Sequence, residues 1–370
     1  MRKIDKITIK GFKSLRELDA LSLGNINIVI GANGAGKSNF IQIFRMIRAM
    51  LNKGFQSYVT EHGGADSFLY NGRKITKEIS AEFVFGNNSY KLVLTPTASE
   101  TFSIAEFRRY EDCGWKVNGN GLSESRIDDF KDEESFAHPG SKGVGYYVYD
   151  AISKWMVYHF HDTSDRSPMR LSEIVEDNVW LREDASNIAP FLLALRDDGP
   201  EGRKAYAAIV DSVRLVMPFF DDFLLQPKKF GPATKVNLAW RQKGSDYPFQ
   251  PYHLSDGSIR FICLAAALLQ PKPPSTIIID EPELGLHPQA IAILAELIRI
   301  AAARTQVIVA TQSPLLIDQF ETSDIIVAKR SGGATSLVRL QPDSLKAWLA
   351  DYSLGELWTT NMIEGGLANE

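Results

Sequence analysis

Hydrophobic residues along the chain follow two different spacings, and each spacing predicts its own kind of element. Residues 3–10 alternate between charged and apolar side chains, and residues 26–30 are nearly all apolar. We therefore predict two strands, the second in the centre of a sheet. From about Lys37 to Gly54 the apolar residues recur at helical spacing, which predicts a helix. The chain thus begins as strand, strand, loop and helix.

The spacing changes to strict alternation between about residues 78 and 110. Residues 79–85 and 90–94 alternate on either side of Gly86-Asn87-Asn88, a combination typical of a β-hairpin. The polar run 128–134 lies beyond this region, and we predict that it is an exposed loop.

Strands and helices follow one another through the rest of the chain. Further strands are predicted at 154–161, 236–240, 276–279, 307–310, 325–328 and 336–340. Further helices are predicted at 188–195, 209–223, 258–269 and 290–303, with a short helix near the C-terminus. This mixture predicts an α/β fold. No heptads extend over three or four turns, so we expect no long coiled-coil arm.

Composition narrows the class of protein. The 370 residues include 44% hydrophobic and 23% charged residues, which is typical of a soluble protein with two or three domains or one large domain with an insertion. Cys113 and Cys263 provide no disulfide framework. The N-terminus lacks a secretory apolar region, and no apolar stretch reaches the roughly 18 residues that span a bilayer. We therefore expect a cytoplasmic protein without a membrane partner.

Charge is distributed unevenly. Residues 1–53 contain ten lysines and arginines against three acids, although the net charge of the chain is −4. One interpretation is a solvated basic face around a triphosphate site; the other is a patch that contacts nucleic acid phosphates. Charge alone does not distinguish the two.

A phosphate-binding loop follows the central strand. Residues 31–38 fit G-x-x-x-x-G-K-[ST], with the required buried strand before the loop and a helix after it. Glycines allow backbone N–H groups to turn towards phosphates, and the helix N-terminus adds its dipole. Lys37 is expected to bridge the β- and γ-phosphates of ATP, and Ser38 to bind Mg²⁺.

Two carboxylates end a later strand. The apolar residues 277–279 lead directly into Asp280 and Glu281. At a sheet edge, Asp280 suits Mg²⁺, either directly or through water. Glu281 is then placed to orient and polarise the attacking water.

A second anion site is predicted at the run Leu254-Ser-Asp-Gly-Ser-Ile-Arg260, which opens an apolar helix. Since the glycine loop already holds the phosphates of its own chain, this second site lacks a ligand of its own. We call residues 254–260 the signature run. A two-fold homodimer, in which the signature run of each chain covers the γ-phosphate held by its partner, would give this second site a ligand.

Five stretches together resemble the ABC-type ATPase heads of the RecF/SMC clade, close to the compact ATPases related to OLD proteins. They are Gly11-Phe-Lys-Ser14, Gly31–Asn39, Leu254–Arg260, Asp280–Pro288 and Ala310-Thr-Gln-Ser-Pro314. The resemblance implies a P-loop NTPase with a mixed central sheet, an antiparallel β subdomain and a helical insertion lobe. It also implies Asp280 for Mg²⁺, Glu281 as the catalytic base, and residues 283–287 as a loop that crosses to the dimer partner.

The candidate residues fall into three groups. ATP-binding candidates are Gly31, Asn33, Gly34, Gly36, Lys37, Ser38, Asn39, Ser255, Asp256 and Gly257. Catalytic candidates are Lys37, Glu281 and Gln312, and the Mg²⁺ ligands are Ser38 and Asp280.

Two departures from transport ATPases bear on turnover. The signature run is LSDGS rather than LSGGQ, and Gln312 stands where those proteins have a switch histidine. Gln312 can hydrogen-bond phosphate or water but cannot transfer a proton, so slow hydrolysis is expected. His161 or Asp162 is a candidate substitute for the glutamine loop. The spacing of His159 and His161, with Asp162 and Asp165 nearby, allows a metal site, but such residues are more often strand-end polar groups in a nucleotide or subunit contact.

The predicted domains are 1–95 and 236–340 for the two parts of the ATPase head, 96–235 for the insertion, and 341–370 for the tail. The main hypothesis is a dimerising ATPase that acts on DNA, in repair or phage defence. The alternative is a slowly hydrolysing, nucleotide-gated scaffold or sensor that controls a separate effector protein. Only 56 residues follow Pro314, so no nuclease domain is expected there. The LSDGS run, Gln312 and the long insertion disfavour the motor of a membrane transporter.

Overall fold

The computed structural model describes residues 3–135 and 140–363. The strands in these ranges are β1 Lys6–Phe12, β2 Leu15–Ser22, β3 Ile26–Ile30, β4 Ile79–Phe85, β5 Asn88–Pro96, β6 Phe102–Tyr110, β7 Lys116–Leu122, β8 Trp155–Tyr158, β9 Glu173–Ile174, β10 Phe220–Phe223, β11 Lys228–Phe230, β12 Ala233–Val236, β13 Trp240–Gln242, β14 Pro248–Phe249, β15 Thr276–Asp280, β16 Gln306–Thr311, β17 Ile325–Ser331 and β18 Ala334–Arg339.

The helices in the same ranges are α1 Lys37–Leu51, α2 Phe55–Glu61, α3 Gly72–Ile75, α4 Val144–Ile152, α5 Ile188–Asp197, α6 Pro200–Val216, α7 Asp256–Leu269, α8 Pro288–Ala302, α9 Pro314–Ile317, α10 Pro342–Leu345 and α11 Leu354–Thr359. Residues 364–370 of the predicted tail lie outside the described residues.

The chain divides into two compact units. The first comprises Met1–Val157, Pro274–Ile278 and Ile308–Glu370, and the second comprises Tyr158–Pro273 and Ile279–Val307. Residues 96–157, which were expected to begin the insertion, belong to the first unit. The reason is that β6 and β7 continue the sheet of β4 and β5.

The first unit contains two six-stranded sheets. One is antiparallel and has the order β2-β1-β4-β5-β6-β7; the predicted hairpin forms its centre, with Phe85 paired to Asn88 across the turn. The other has the order β18-β17-β3-β16-β15-β8. In it β17 is parallel to β3 and antiparallel to β18. The phosphate-binding loop leaves this mixed sheet from an interior strand.

Helix α1 supplies much of the core of this unit. Its apolar face is buried, and the Phe44 ring lies 5.3 Å from the Trp155 ring and 6.4 Å from the Phe83 ring, both in edge-on contact. Burying each such aromatic side chain stabilises the fold by about 2–3 kcal/mol. The base of the glycine loop is thereby fixed, because α1 begins at Lys37.

The second unit is built from helices α5 to α8 and two small antiparallel sheets, β10-β13-β14 and β11-β12-β9. Helix α7 is buried along nearly its whole length, from Ile259 to Leu269. This unit carries the signature run at the start of α7 and the acidic residues that end β15.

Four predicted elements differ from those observed. Residues 220–223 were predicted to continue a helix but form β10, which pairs with β13, and residues 237–239 lie in no strand. Strand β8 ends at Tyr158 rather than at residue 161. The polar run 128–134 is only partly exposed, since Glu133 accepts a hydrogen bond from Arg108 at 2.8 Å.

Candidate functional site

The phosphate-binding loop needs glycine because neighbouring atoms leave no room for a side chain at some positions, and because the backbone has a positive φ angle at others. A Cβ atom at Gly31 would lie 2.8 Å from the Ala328 carbonyl oxygen, and one at Gly36 would lie 2.2 Å from Thr335 Oγ1. Gly34 and Gly36 have φ angles of 79° and 103°, which L side chains rarely adopt. A Cβ at Gly34, in contrast, would meet nothing within 4 Å. The loop is therefore packed on one side and open on the other.

Lys37 lies inside the curve of the loop. Its side chain is buried, and Nζ donates hydrogen bonds to the carbonyl oxygens of Gly31 at 2.6 Å and Ala32 at 3.3 Å. Ser38, the next residue, is exposed in the first turn of α1, as are Asn33 and Gly34 in the loop. A buried ammonium group beside exposed hydroxyl and backbone groups suits a ligand with several negative charges.

The loop fits a triphosphate by its backbone as well. In the described part of the chain, the N–H groups of Gly34 and Gly36 have no hydrogen-bond acceptor. The first N–H groups of the 15-residue helix α1 also point out of its N-terminus, where the helix dipole favours anions. These donors surround the open side of the loop, so the residues present are suited to hold the phosphates of ATP.

A C-terminal hairpin supports the loop from behind. Thr335, on β18, places Oγ1 2.8 Å from the Ala35 carbonyl oxygen and 2.8 Å from Ser14 Oγ. Asn39 Nδ2 donates to the same Ser14 hydroxyl at 2.7 Å. Arg330, on β17, donates to the Gly34 carbonyl at 3.2 Å. Ser14 and Asn39 therefore shape the loop together with residues some 300 positions away.

Replacing Thr335 with valine is expected to raise the Kd for ATP about three- to tenfold. Valine keeps the volume but leaves the buried Ala35 carbonyl without this donor, at a cost of about 1 kcal/mol or somewhat more. Thr335→Ser, which retains the hydroxyl, is the matched control and should bind ATP like the parent. Titration with a fluorescent ATP analogue measures the effect; equal affinity in the valine and serine variants would contradict it.

Gln312 follows strand β16, the neighbour of β3 in the mixed sheet. The turn after it is fixed by Ser313, whose N–H donates to Thr311 Oγ1 at 3.0 Å and whose hydroxyl caps α9. The first unit thus contains the phosphate-binding loop, Lys37, Ser38, Asn39 and Gln312.

The signature run lies in the second unit, at the start of α7. The Ser255 hydroxyl caps the 14-residue helix by accepting a hydrogen bond from the Ser258 N–H at 3.1 Å. Ser255 and Asp256 are exposed. A Cβ at Gly257 would lie 2.3 Å from the Gly285 carbonyl oxygen. The signature glycine is thus required for close packing against the loop that follows the two carboxylates.

A buried arginine holds the turn before α7. The Arg170 guanidinium donates to the carbonyl oxygens of Pro251 and Leu254 at 2.6 and 3.0 Å, and to Asp256 Oδ1 at 3.0 Å. Its side chain is only 4% exposed, whereas that of Asp256 is 67% exposed. Arg170 therefore fixes the signature run from inside and leaves its outer surface accessible.

The two carboxylates begin a tightly constrained loop. Asp280 is the last residue of β15, and Glu281 has a φ angle of 44°, in the left-handed region. Such a conformation costs about 1–3 kcal/mol in a residue other than glycine. The Asp280 carbonyl oxygen, which precedes Glu281, lies 2.9 Å from His161 Nε2. With a carbonyl as the acceptor, Nε2 is the donor, and this bond fixes the peptide that orients Glu281.

Arg260 connects the same loop to the signature helix. It is 4% exposed, and it donates to the carbonyl oxygens of Phe160 at 2.9 Å and His161 at 3.3 Å. It also donates to the Leu284 carbonyl oxygen. Burial lowers the pKa of this guanidinium from its ordinary value. One side chain of α7 therefore bonds both to the histidine segment and to the loop after the carboxylates.

The residues around His161 form no cluster suited to a metal ion. The His159 and His161 rings stack with centroids 4.3 Å apart, and no group of three potential metal ligands was found within residues 3–135 and 140–363. Hydrogen bonds from the Ser164 hydroxyl and N–H hold the pKa of Asp162 below its usual value, so this carboxylate stays ionised.

The sequence did not single out Thr335, Arg330 or Arg170. Each of the three is a single arginine or threonine that belongs to no recognisable motif. Only folding brings it into contact with the phosphate-binding loop or the signature run. Arg260 lay within the signature run, but its bonds to carbonyls of the two other segments could not be inferred from that position.

Similarity to known proteins decides the family. The family model described as "AAA domain, putative AbiEii toxin, Type IV TA system" matches residues 26–318. The chain belongs to this family. It is accordingly an AAA-type P-loop ATPase, and the α/β fold predicted from the motifs is confirmed. Such ATPases bind a nucleotide, typically with Mg²⁺.

Solved structures support the fold. The Smc head bound to the C-winged helix domain of ScpA is 16% identical, with a TM-score of 0.54, over 93% of this chain and 99% of that one. The Smc head with an extended coiled coil bound to the C-terminal domain of ScpA, from Pyrococcus furiosus, is 15% identical, also with a TM-score of 0.54, over 95% and 99%. The family member described here thus has the fold of an ABC-type ATPase head.

A curated relative matches a shorter part of the chain. Urease accessory protein 2 of Cryptococcus neoformans var. grubii is 29% identical over 173 residues, which is 45% of this chain and 13% of that protein. The chain therefore spans a small part of that relative. Within the described residues, no helix has the length and apolar character needed to cross a membrane.

Proposed function

We propose that the chain is a Mg²⁺-dependent ATPase with two composite sites that form in a homodimer, and that the dimer acts on DNA in repair or phage defence. The observation that carries the ATPase proposal is the glycine loop with buried Lys37 on one side. On its other side, the N–H groups of Gly34 and Gly36 have no acceptor among the residues that the structure describes. The dimer is supported by the exposed Ser255 and Asp256, which the chain holds at a helix N-terminus without covering them.

In this proposal the loop binds and orients the nucleotide. Gly31, Asn33, Gly34 and Gly36 supply the backbone cradle, Lys37 contacts the β- and γ-phosphates, and Asn39 keeps the loop in shape through Ser14. Ser38 and Asp280 would hold Mg²⁺, which supplies charge neutralisation at the phosphates when bound. Ser255, Asp256 and Gly257 of one chain would contact the γ-phosphate held by its partner.

Glu281 is the proposed base, and Gln312 the proposed hydrogen-bond partner of the γ-phosphate or the attacking water. A carboxylate accepts the proton of that water only if it points along the line of attack. His161 and Arg260 are proposed as positioning residues. His161 fixes the Asp280 carbonyl, which precedes Glu281 in the chain, and Arg260 fixes the Leu284 carbonyl, which follows it.

Replacing His161 with leucine is expected to lower kcat at least about tenfold while the KM for ATP changes by less than about threefold. The loss corresponds to about 1.4 kcal/mol, the usual size of one hydrogen bond. His161→Gln retains an N–H donor and should recover most of the rate. Steady-state kinetics test this, with His62→Gln, on an exposed helix end of the first unit, as the control. A parental kcat in the leucine variant would remove His161 from this role.

The proposed action on DNA is tested by ATP hydrolysis with and without duplex and single-stranded DNA, together with the mass of the protein in solution. Stimulation by DNA, accompanied by an ATP-dependent dimer, is the expected result. Hydrolysis without any response to DNA would leave the ATPase and overturn the DNA part of the proposal.

A second candidate function is a nucleotide-gated scaffold or sensor that controls a separate effector protein. Gln312 favours it, because glutamine cannot transfer a proton as the switch histidine of transport ATPases does. The same experiment distinguishes it: very slow hydrolysis, indifferent to DNA, with stable ATP-bound oligomers, would support the sensor.

A further inference from the structure

A lysine-rich hairpin projects from the second unit. Strands β11 and β12 pair across the turn at Gly231 and Pro232, with Lys228 directly opposite Lys235 and Lys229 opposite Thr234. Like charges facing one another across an antiparallel pair are destabilising. No carboxylate in the described part of the chain forms an ion pair with Lys228, Lys229 or Lys235. Because successive strand residues face opposite sides of a sheet, Lys228 and Lys235 share one face of the hairpin with Phe230, and Lys229 lies on the other face. The face with Phe230 thus carries two lysines that form no ion pair in the described part of the chain.

The end of this hairpin is aromatic and its base is a polar pocket. Phe230, the last residue before the turn, is 55% exposed. A cavity of about 340 Å³ is lined at the base by polar and charged residues, among others: Gln226, Lys228, Asn237, Arg241, Asp246 and Gln250. Asn237 Nδ2 donates to Gln250 Oε1 at 2.9 Å, which leaves the other amide hydrogen of Asn237 for a ligand. Its volume lies at the small end of ligand pockets, large enough for one base with its sugar. The Arg241 guanidinium is held by Asp221 at 2.6 Å.

We propose that the β11–β12 hairpin and this pocket bind single-stranded DNA. Lys228 and Lys235 contact backbone phosphates, Phe230 on the same face stacks on a base, and polar groups of the pocket hydrogen-bond to the edge of a neighbouring base. This inference rests on the proposed action on DNA and names the surface and the form of DNA involved.

The chemistry favours a single strand over a duplex or an acidic protein. Stacking on Phe230 and entry into a one-nucleotide pocket both require unpaired bases, which a duplex does not present. An acidic peptide would satisfy the lysines but offers no nucleobase to stack on the exposed Phe230 ring. Exposed aromatic and cationic groups in close succession are the usual combination at single-strand sites.

Lysine–phosphate contacts and stacking on Phe230 affect the salt dependence of binding differently. The probe is a fluorescent 20-nucleotide oligo-dT, titrated with the full chain by anisotropy at several salt concentrations. Replacing Lys228 and Lys235 together with glutamine should weaken binding about tenfold at low salt. It should also make the slope of log K against log salt shallower by about 1.4, at roughly 0.7 per phosphate contact. Phe230→Ala should weaken binding about five- to thirtyfold with the slope unchanged.

Lys204→Gln combined with Lys272→Gln, two exposed lysines of the same unit outside the hairpin, is the matched control and should bind like the parent. ATP hydrolysis without DNA should be parental in every variant, which separates this inference from the ATPase itself. Parental affinity and slope in the variant that lacks Lys228 and Lys235 would overturn the proposal. Tighter binding of a duplex of equal length, or equal competition by polyglutamate, would also overturn it. If the parent bound no oligo-dT, the inference would fail while the ATPase stood.

Discussion

Replacing Lys37 with alanine is expected to raise the Kd for ATP at least about a hundredfold. The ammonium group already lies within 2.6 Å of the Gly31 carbonyl, at the centre of the loop, where it would meet the β- and γ-phosphates. Charge-assisted hydrogen bonds to phosphate are roughly twice as strong as neutral ones. Losing them together costs about 3 kcal/mol, which corresponds to the hundredfold change. Equilibrium titration with labelled ATP measures it directly.

The alanine variant must remain folded for this result to count. Its circular dichroism spectrum and thermal midpoint should stay close to those of the parent, because the Lys37 ammonium donates to the Gly31 and Ala32 carbonyls within its own loop. Lys74→Ala, which removes an exposed lysine on α3, is the control and should bind ATP normally. ATP affinity within threefold of the parent in the Lys37 variant would show that the phosphates bind elsewhere.

The parts of the site that could be predicted from sequence are contiguous and local. Strand β3, the glycine loop and helix α1 follow one another between residues 26 and 51, and each has a spacing or composition set by nearby atoms. The same holds for α7, whose N-terminal serine cap was visible in the run at Leu254. Such segments are predictable because the backbone geometry of a phosphate cradle restricts every position.

The supporting contacts could not be predicted, because they join residues far apart in the chain. Thr335 contacts Ala35 across 300 positions, and Arg170 contacts Leu254 across 84. Gly257 gives a sharper example. Its presence was explained by anion binding, but the structure adds that the Gly285 carbonyl occupies the space of a side chain. No periodicity in the sequence encodes which two loops meet.

Strand β10 shows why one apolar run was assigned to the wrong element. Phe220 and Phe223 are three positions apart, a spacing that fits a helical face, so the run was predicted to continue α6. In the fold both rings are buried, and Phe220 stacks on Trp240 of β13 at 6.0 Å. Pairing with β13, through an irregular register at Asp222, determined the outcome. Tertiary packing overrode the local spacing.

Replacing Glu281 with glutamine is expected to lower ATP hydrolysis at least about a hundredfold while ATP binding persists, since a general base contributes about 10²–10⁴ to the rate. Glutamine matches the carboxylate in size and can adopt the same backbone, but it cannot accept the proton of the attacking water. The Mg²⁺-ATP state should then accumulate as a dimer, visible by light scattering. Glu283→Gln, beyond Pro282, serves as the control for charge removal in the same loop. Parental hydrolysis in the Glu281 variant would mean that the base was wrongly assigned.

Mixing two inactive variants tests the composite arrangement behind that dimer. Lys37→Ala lacks a working phosphate loop, and Ser255→Arg places a bulky cation where the signature should meet the partner's nucleotide. A mixed dimer has one intact site, formed by the loop of the Ser255 variant and the signature of the Lys37 variant. With free subunit exchange, half the dimers are mixed and each has one of two sites, so about a quarter of the parental activity should return. If the mixture stays inactive while mixed dimers are demonstrated, each site must be completed within one chain, and the exposed surface of the signature run would need another ligand.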